Sequence, residues 1–335
     1  MEAITILGAG GIGCAVGYAL ASAGATVAFV DADEGKVRWG REQGVQVDRR
    51  PAYQGKFIHF DEWRPQSGGI ILLCTKCYDN GAVRARLPER ATVIPIQNGF
   101  DSALDPWLNG VEGIASFVSE CFPHRTHTRL TRRGSLHLGL RGRGSAANER
   151  LTALGSMLRG NQLFRLEIVA DILPYKHTKL LYNAAIGPLA AALGLDNGQL
   201  LSVLPARKLF FALLRENYAI LRGAGAPLAR IGPFHPDTVQ RILATSFVAR
   251  ALSWAFYPTL RGTYCSMHAD LPAGRTEIEY YNGHLIQLAQ QRNCPLNQRI
   301  YDLVKRMERE RMPPGPKILD ELQAGAAREL SYKSA

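Results

Sequence analysis

A lysine and an asparagine spaced four residues apart, Lys179 and Asn183, stand among small and apolar residues in a stretch with helical periodicity. Residues at this spacing share one face of a helix. A lysine amine on an apolar face can have its pKa lowered towards the working pH, which suits a general acid. The same side chain can instead lay its stem on the apolar face and reach water with its amine. The residues alone leave both interpretations open.

Polar groups also stand at the start of a later helical pattern and after an expected strand. Thr276 has the position of a helix cap, and Glu277 and Glu279 would follow it in the first turn, where the helix dipole favours acids. A structural role at the start of the helix is therefore enough to explain the presence of one of these two glutamates. Asn98 follows the strand expected at 92–96, and ligands of parallel sheets bind beyond the carboxyl ends of the strands. An Asn-Gly pair is also a common turn, so a structural role for Asn98 stays open.

A glycine-rich motif with the spacing G-x-G-x-x-G lies between the first expected strand and the helix after it. The first glycine permits a tight turn, the second lets the backbone approach a pyrophosphate, and the last lets helix and strand pack closely. The helix amino terminus adds free amides and the positive end of its dipole. We therefore predict a dinucleotide site rather than a purely structural glycine turn. Its residues are Gly8, Gly10, Gly11, Ile12 and Gly13.

The acid at the end of the second expected strand, Asp31, bears on the choice of dinucleotide. A carboxylate at this position accepts hydrogen bonds from the ribose hydroxyls of NAD and repels the 2′-phosphate of NADP. Lys36 and Arg38 follow it and could attract that phosphate, and Asp31 could instead cap the helix expected from residue 33. We expect NAD or NADP as the cofactor, with NAD preferred.

The order of strand and helix patterns indicates how these residues are positioned. Apolar strand patterns alternate with helical ones over the first hundred residues, which is typical of parallel strands joined by right-handed crossovers. Strands are expected at 3–7, 26–31, 69–74, 92–96 and 114–121, and helices at 11–23 and 33–43 with a short one after Tyr78. An antiparallel hairpin is expected at 126–131 and 135–140, reversing at Arg132-Arg133-Gly134. From residue 146 onward helices are expected near 147–158, 171–194, 207–224, 234–253, 277–292, 297–311 and 317–330.

The predicted fold class is therefore α/β followed by all-α. A Rossmann-type dinucleotide-binding domain with a hairpin extension is expected over residues 1–169, and a helical substrate and catalytic domain over residues 170–335. A helical domain with several apolar faces is compatible with a homodimer.

The charge is the unusual feature of the composition. The chain has 40 Lys and Arg against 29 Asp and Glu, a formal net charge of +11, and about half of the excess lies between residues 121 and 150. Neither interleaved aromatic residues nor a nucleic-acid motif surround the arginines between Arg125 and Arg143. We expect a solvated basic face that helps to attract anionic ligands, and no nucleic-acid partner.

Targeting signals and metal sites are not expected. The amino terminus lacks the basic region of a secretory signal, and the most apolar long stretch is too short for a bilayer span, so we expect a cytoplasmic protein without a membrane partner. Six cysteines are scattered, and Cys74 and Cys77 form a lone C-x-x-C pair. Two reduced thiols are favoured over a zinc site there, and no metal is predicted.

In this order and spacing, the motifs resemble those of the ketopantoate reductase (2-dehydropantoate 2-reductase) family over roughly residues 3–311. Besides the glycine motif, the matching segments are Thr75-Lys76, Gln97-Asn98-Gly99, Lys179-Leu180 with Asn183, Asn197-Gly198, Ser266-Met267, Arg275-Thr276-Glu277-Ile278 and Asn282-Gly283. The resemblance implies that Lys179 is the general acid and that Glu277 orients substrate and lysine. It further implies four substrate-binding residues, Asn98, Asn183, Ser266 and Asn197, and a contact of Lys76 and Asn98 with the cofactor.

Several positions depart from the family pattern. Gly187 and Thr263 stand where asparagines are usual, His177 where an aromatic residue is usual, and the interval from Ser266 to Glu277 is one residue short. Two lost amides remove hydrogen bonds that a hydroxylated substrate would use. Asp31 also replaces a residue that favours NADP.

The leading hypothesis is the NAD(P)H-dependent reduction of a small 2-keto acid to a 2-hydroxy acid, with ketopantoate the first candidate. The alternatives are an NAD-dependent D-2-hydroxyacid dehydrogenase, an opine-type dehydrogenase with another substrate, and a protein that senses NAD without chemistry. A chain without chemistry would not need Lys179, Asn183 and Glu277 together, which disfavours the last alternative.

Overall fold

The computed structural model of the chain describes residues 4–65, 68–89, 91–107, 110–141 and 145–322. The chain forms two compact units, Met1–Lys176 and His177–Ala335. Parallel strands and helices build the first unit, and the described residues of the second contain helices and no strand. The predicted fold class, a Rossmann-type α/β domain followed by an all-α domain, is confirmed.

A five-stranded parallel sheet forms the centre of the first unit. Its strands are β1 (Ile4–Leu7), β2 (Val27–Asp31), β4 (Lys56–His59), β5 (Ile70–Leu73) and β6 (Thr92–Pro95), in the order β4-β2-β1-β5-β6. All four residues of β5 are buried, as expected for a strand covered on both faces. The sequence did not predict β4, because only Phe57 and Ile58 are apolar in it.

Helices follow three of these strands. They are α1 (Gly11–Ser22), α2 (Glu34–Gln43) and α3 (Asn80–Arg84), as expected from the alternating pattern. Because the strands are parallel, the carboxyl ends of β1, β2, β5 and β6 lie along one edge of the sheet. The predicted cofactor residues lie along this edge, in the loops after β1, β5 and β6, in the first residues of α1 and, for Asp31, at the end of β2 itself.

The predicted hairpin between 126–131 and 135–140 is wrong. The two strands, β9 (His127–Arg132) and β10 (Ser135–Leu140), belong to different three-stranded sheets. The expected strand 114–121 is likewise divided into β7 (Val111–Ala115) and β8 (Val118–Cys121). β8 pairs with β9 and β7 pairs with β10, both antiparallel, so the chain reverses between Cys121 and His127.

Gly134 explains why the reversal was misplaced. A Cβ at this position would lie 2.5 Å from the backbone nitrogen of Phe117, so the glycine allows two extended segments to cross closely. The Arg132-Arg133-Gly134 stretch is therefore the passage from one sheet to the other. The remaining elements of this unit are β3 (Gln46–Val47), α4 (Ser145–Leu158) and β11 (Arg165–Asp171), and the sequence predicted neither β3 nor β11.

The second unit is built from helices around a long one that begins in the first unit. The helices are α5 (Leu173–Leu193), α6 (Gln199–Ser202), α7 (Leu204–Gly223), α8 (Pro236–Ala244), α9 (Ser246–Leu260), α10 (Ser266–Asp270), α11 (His284–Ala289) and α12 (Pro295–Glu310). A π-helical turn, Glu279–Gly283, precedes α11. The single helix expected at 234–253 is two helices, because Thr245 is extended with φ of −110°. A further helix spans 316–322, and the rest of the helix expected at 317–330 lies outside the described residues.

Candidate functional site

In the glycine-rich motif that joins β1 to α1, a side chain would clash with backbone atoms at two glycines and would have free space at a third. Gly8 has a φ of +98°, and a Cβ there would lie 2.7 Å from the backbone nitrogen of Thr75. A Cβ on Gly13 would lie 1.9 Å from the carbonyl oxygen of Gly8, so helix and strand end meet through backbone atoms. A Cβ on Gly10 would have no atom within 4 Å. The open side of Gly10 leaves the backbone accessible, which is the property that a pyrophosphate requires.

Two cysteines lie beside this loop because α1 packs closely on β8. The Sγ atoms of Cys14 and Cys121 both approach the carbonyl oxygen of Ala9, at 3.3 and 3.7 Å. The hydrogen bond between the two thiols holds the pKa of Cys14 well above its ordinary value, and burial adds to this effect. The same hydrogen bond lowers the pKa of Cys121, although burial opposes it.

Asp31 ties the end of β2 to the glycine-rich loop. Its Oδ2 accepts a hydrogen bond from the backbone nitrogen of Ala9 at 2.8 Å, and its Oδ1 accepts one from that of Asp33 at 2.9 Å. Helix α2 is capped by Asp33, whose carboxylate accepts from the backbone nitrogen of Lys36, so Asp31 is not the cap. The Lys36 ammonium lies 3.3 Å from Asp31. Burial works against the charge of Lys36, but Asp31, Cys121 and Cys14 together outweigh it and raise the pKa of this lysine.

The ends of β5 and β6 are joined by a pair of buried amides. The side-chain nitrogen of Gln97 donates to the carbonyl oxygen of Thr75 at 2.8 Å and to Oδ1 of Asn80 at 2.8 Å. Asn98 follows directly, and its Oδ1 is buried without a hydrogen-bond partner. Lys76, one residue beyond Thr75, is half-buried. The predicted residues Asp31, Lys76 and Asn98 therefore all lie at the same sheet edge as the glycine-rich loop.

A buried ion pair between Lys176 and Glu112 lies beside the loop after β6. Both side chains are 2% exposed, and the lysine ammonium also donates to the carbonyl oxygen of Gly99 at 3.4 Å. It lies 4.7 Å from the centre of the Phe100 ring. The sequence analysis missed this pair, although a glutamate in the otherwise apolar strand β7 was a signal for it.

Helix α5 exposes a single stripe of side chains in the second unit. Over 178–193 every residue is buried except Lys179, Tyr182, Asn183 and Ile186. These four recur at the spacing of one helix face. Burial raises the pKa of Tyr182 to about 12, so its phenol is protonated at neutral pH. The two polar residues singled out from sequence thus share one partly accessible face.

The segments that carry Asn197 and Ser266 meet at α5. Asn197 donates from its side-chain nitrogen to Oγ1 of Thr263 at 3.1 Å, and its own Oδ1 is buried without a hydrogen-bond partner. The thiol of Cys265 donates to the carbonyl oxygen of Gly187 at 3.3 Å. Ser266, the next residue, is exposed at the start of α10. Thr263 and Gly187, the two positions that lack the usual asparagines, therefore lie among the predicted substrate residues.

Glu277 is buried at the start of the helical turn that leads into α11. It is 3% exposed, and one of its carboxylate oxygens accepts a hydrogen bond from the Tyr281 hydroxyl at 3.0 Å. Thr276 caps this turn as predicted, because its Oγ1 accepts from the backbone nitrogen of Ile278. The hydroxyl of Thr276 in turn donates to Glu308 of α12 at 2.7 Å. Thr276 therefore caps the turn, and Glu277 is a buried acid that does not serve as the cap.

Three buried asparagines fasten this turn to α5. Pro188 lacks an N–H, so the carbonyl oxygen of Ala184, four residues earlier, has no partner within the helix. The side-chain nitrogen of Asn282 donates to that oxygen at 2.9 Å and to Oδ1 of Asn297 at 2.9 Å. Asn297 donates in turn to Asn217 of α7. The sequence analysis did not find this network, although a proline inside an apolar helix was the signal for it.

Some of the arginines between Arg125 and Arg143 interact with other side chains of the first unit. Arg125 lies over the ring of Trp39 at 4.6 Å, and Arg129 lies 3.1 Å from Glu120. Arg143 lies outside the described residues. Since the predicted hairpin is wrong, these charges do not lie on its two strands: Arg129 and Arg132 belong to β9, and β10 carries no arginine.

Within the described ranges, no three His, Cys, Asp or Glu side chains form a group that could hold a metal ion. Cys74 and Cys77 form no disulfide, and burial raises the pKa of Cys74 to about 12. No helix in the part of the chain that the structure describes is long and apolar enough to cross a membrane.

Family models match both units. A model described as ketopantoate reductase PanE/ApbA matches residues 4–145, and one described as its C-terminal part matches residues 171–308. The chain belongs to the ketopantoate reductase family. It is accordingly an NAD(P)-dependent oxidoreductase.

Relatives of this ketopantoate reductase family member include curated and structurally characterised proteins. A 2-dehydropantoate 2-reductase of Pyrobaculum aerophilum is 25% identical over 247 residues, which cover 72% of this chain and 77% of the relative. The solved ternary structure of a D-mandelate dehydrogenase with NADH and anilino(oxo)acetate is 20% identical, with a TM-score of 0.74, over 92% of this chain and 99% of that one. A dimeric ketopantoate reductase from Staphylococcus aureus is 17% identical, with a TM-score of 0.66, over 92% and 99%. At these identities the two solved structures show the fold alone.

Proposed function

We propose that the protein reduces a small 2-keto acid to the corresponding 2-hydroxy acid with NAD(P)H. The observation that carries the proposal is the stripe on α5, where Lys179 and Asn183 are half-exposed and, over 178–193, only Tyr182 and Ile186 are also accessible. A polar, partly accessible pair in such a helix has no packing role that an apolar residue would not fill better. Its occurrence in a ketopantoate reductase family member points to carbonyl reduction.

The proposed roles follow from the chemistry of carbonyl reduction. A bound nicotinamide cofactor supplies the hydride. Negative charge then develops on the carbonyl oxygen, which requires a positioned proton donor. We assign this role to the ammonium of Lys179. Glu277, a carboxylate held at the start of a helical turn by Thr276 and Tyr281, is assigned the role of orienting the lysine and the substrate.

Four further residues are proposed to contact the substrate: Asn98, Asn183, Asn197 and Ser266. In support, Oδ1 of Asn98 and Oδ1 of Asn197 are buried acceptors without hydrogen-bond partners. Buried acceptors nearly always have a partner in the functional state of a protein. A hydroxyl of the ligand would donate the missing hydrogen bond, such as the hydroxyl that ketopantoate carries, the 2-hydroxyl of the product or a ribose hydroxyl of the cofactor.

The cofactor is proposed to be NAD rather than NADP. The glycine-rich loop and its helix terminus fit a pyrophosphate, with Gly8, Gly10, Gly11, Ile12 and Gly13 around it and Lys76 and Asn98 further along the edge. Asp31 stands at the end of β2, and its charge opposes a 2′-phosphate. Lys36 would favour that phosphate, but its ammonium already lies against Asp31.

Ketopantoate is the first candidate substrate, and a 2-keto acid with an apolar side chain is the second. The family and the relative from Pyrobaculum aerophilum favour ketopantoate. Gly187 and Thr263, which replace amides among the substrate residues, favour the apolar side chain, and the structural neighbour that is a D-mandelate dehydrogenase agrees with it. We place the cofactor in residues 1–169 and the substrate residues mainly in 170–335.

A homodimer in the cytoplasm is the proposed working form. Phe247 and Trp254 on α9 are 77% and 83% exposed, which is unusual for large apolar side chains. The Staphylococcus aureus neighbour is described as dimeric. Sedimentation equilibrium of the wild type and of a Trp254→Glu variant tests this, since only the former should give twice the monomer mass.

Oxidation of NADH and NADPH by the purified protein, followed with ketopantoate, pyruvate and phenylglyoxylate, tests the proposed function. Reduction of at least one of them is expected, with a higher kcat/KM for NADH than for NADPH. Absence of turnover with every 2-keto acid would overturn the proposal.

A further inference from the structure

Two thiols meet beside the glycine-rich loop and have no part in the proposed mechanism. Cys14 belongs to α1 and Cys121 ends β8, and their Sγ atoms lie 3.3 and 3.7 Å from one carbonyl oxygen, that of Ala9. A hydrogen bond also joins the two thiols to each other. Cysteines that meet from two elements can form a disulfide if their backbones are close.

The backbones of α1 and β8 are close at this point. A Cβ on Gly11 would lie 2.3 Å from the carbonyl oxygen of Ser119. Gly11 and Cys14 are three residues apart and share a face of the helix, and Ser119 and Cys121 are two residues apart and share a face of the strand. The contact at Gly11 and the contact of the two thiols therefore belong to one helix–strand interface. A bond between the two sulfur atoms would close an existing contact.

The two thiols differ in access and in acidity. Cys14 is completely buried, whereas Cys121 is half-buried, so a dissolved oxidant reaches Cys121 first. The hydrogen bond from Cys14 lowers the pKa of Cys121 against the effect of burial, and the charge of Lys36 lowers it further. The same hydrogen bond raises the pKa of Cys14. A partly accessible, acidic thiol next to a second cysteine is the arrangement found at oxidation-sensitive cysteines.

We propose that Cys121 and Cys14 form a modification site for hydroperoxides, at which oxidation of Cys121 leads to a reversible disulfide between the two residues. The sulfur of Cys121 attacks one oxygen of hydrogen peroxide, the O–O bond breaks, and a sulfenic acid and water are formed. The sulfur of Cys14 then attacks the sulfenic sulfur. An S–S bond replaces the S–O bond, and the proton of Cys14 leaves with the hydroxyl group as a second water. The two thiols together give two electrons to the peroxide.

The disulfide would act on the loop that is proposed to bind the pyrophosphate. The backbone nitrogen of Ala9 donates to Asp31 at 2.8 Å, and the backbone nitrogen of Cys14 donates to the carbonyl oxygen of Gly10 at 2.8 Å. Oxidation removes both S–H groups beside the Ala9 carbonyl and displaces Cys14 in the first turns of α1. We therefore expect the oxidised protein to bind NADH more weakly. This consequence rests on the proposed cofactor site, whereas formation of the disulfide does not.

The first experiment treats the reduced protein with hydrogen peroxide, blocks the remaining thiols with N-ethylmaleimide and identifies the products by peptide mass spectrometry. In the wild type, we expect two peptides joined through Cys14 and Cys121, which dithiothreitol separates. Cys14→Ala should leave a sulfenic acid at Cys121 that dimedone traps. If this variant does not fold, Cys121→Ala tests the same order of events, because the buried Cys14 should then stay unmodified. Cys294→Ala, a change directly before α12, is the matched control and should form the disulfide.

The second experiment measures the dissociation constant of NADH by quenching of protein fluorescence. Oxidation should raise this constant by about 5-fold or more, the lower end of the usual coupling between two sites. Dithiothreitol should restore the original value, and peroxide should not change the value of Cys121→Ala. Because such coupling is reciprocal, NADH at saturation should lower the fraction of disulfide in a glutathione redox buffer.

Three results would overturn parts of the inference and are distinguishable. Oxidation of other cysteines, such as the half-buried Cys265, without a bond between Cys14 and Cys121 would remove the modification site. A disulfide that leaves NADH binding unchanged would overturn the coupling to the loop. Failure of the reduced protein to bind NADH would overturn the proposed cofactor site and the coupling with it, but not the disulfide.

Discussion

The side-chain nitrogen of Asn282 donates a hydrogen bond to the carbonyl oxygen of Ala184, 2.9 Å away. That oxygen has no helical partner because Pro188 follows it by four residues. The bond fastens the helix of Lys179 and Asn183 to the turn that begins with Glu277. Asn282 and its partner Asn297 are completely buried.

Asn282→Leu should lower the free energy of unfolding by about 2 kcal/mol or more, because it leaves buried polar groups of Ala184 and Asn297 without partners. Urea denaturation measures this. Asn293→Leu, an amide change at an exposed position after α11, is the matched control and should alter the stability by less than about 0.5 kcal/mol. Equal effects of the two changes would show that the network does not stabilise α5.

Replacing Asp31 by alanine should change the cofactor preference. The variant loses the hydrogen bond to the Ala9 nitrogen and releases the Lys36 ammonium, so we expect weaker binding of NADH and stronger binding of NADPH. Quenching of protein fluorescence gives both dissociation constants, and their ratio should shift by about 10-fold or more, the value of one lost charge-assisted hydrogen bond. Glu42→Ala on the exposed face of α2 is the control. A ratio that stays at the wild-type value would remove Asp31 from the cofactor site.

Alkylation of both cysteines should rise with pH, with the midpoint shifted upward for Cys14 and downward for Cys121 from the ordinary cysteine value. The hydrogen bond from Cys14 lowers the pKa of Cys121, while burial opposes the change. The reactive thiolate of Cys121 therefore persists to pH values below the ordinary cysteine pKa of about 8.5, whereas Cys14 stays protonated above it. Mass spectrometry after short iodoacetamide pulses between pH 6 and 9 measures the midpoints.

In Cys14→Ala the midpoint of Cys121 should move upward, because the donor that stabilises its thiolate is gone. Cys265, whose thiol bonds the carbonyl oxygen of Gly187, serves as the internal reference in both proteins. An unchanged midpoint for Cys121 in the variant would contradict the thiol–thiol hydrogen bond.

Replacing one member of the Lys176–Glu112 ion pair should lower the free energy of unfolding more than replacing both members. Lys176→Met leaves a buried carboxylate without its main partner and should cost about 3–5 kcal/mol of stability. The double variant with Glu112→Leu should recover part of that loss, since no unpaired buried charge remains. Thermal or urea denaturation of the two variants measures the recovery, and a double variant less stable than Lys176→Met would contradict it.

Much of the cofactor half could be predicted because its signals are local. The glycine spacing, the strand before it and the acid at the end of β2 lie within 31 residues of one another. The parallel order of strands then brings Lys76 and Asn98 to the same edge. The hairpin was misplaced because a glycine after two arginines has the composition of a turn, whereas Gly134 allows two backbone segments to cross closely.

The helical half could be predicted only in outline because its contacts join distant residues. Periodicity indicated a helix with Lys179 and Asn183 on one face, and the stripe on α5 has this form. The partner of Ala184 lies 98 positions along the chain. Sequence spacing carries no information on which distant residues meet, so the asparagine network follows only from the three-dimensional arrangement.

The central claim is that Lys179 donates the proton to the reduced carbonyl. Single-turnover oxidation of bound NADH by the preferred 2-keto acid, in Lys179→Ala and in the matched control Lys208→Ala from the exposed face of α7, tests it most directly. The account predicts a rate about 10² to 10⁴ times slower for Lys179→Ala, the usual contribution of a general acid, with NADH affinity and the control unchanged. Hydride transfer by Lys179→Ala at the wild-type rate would contradict the account.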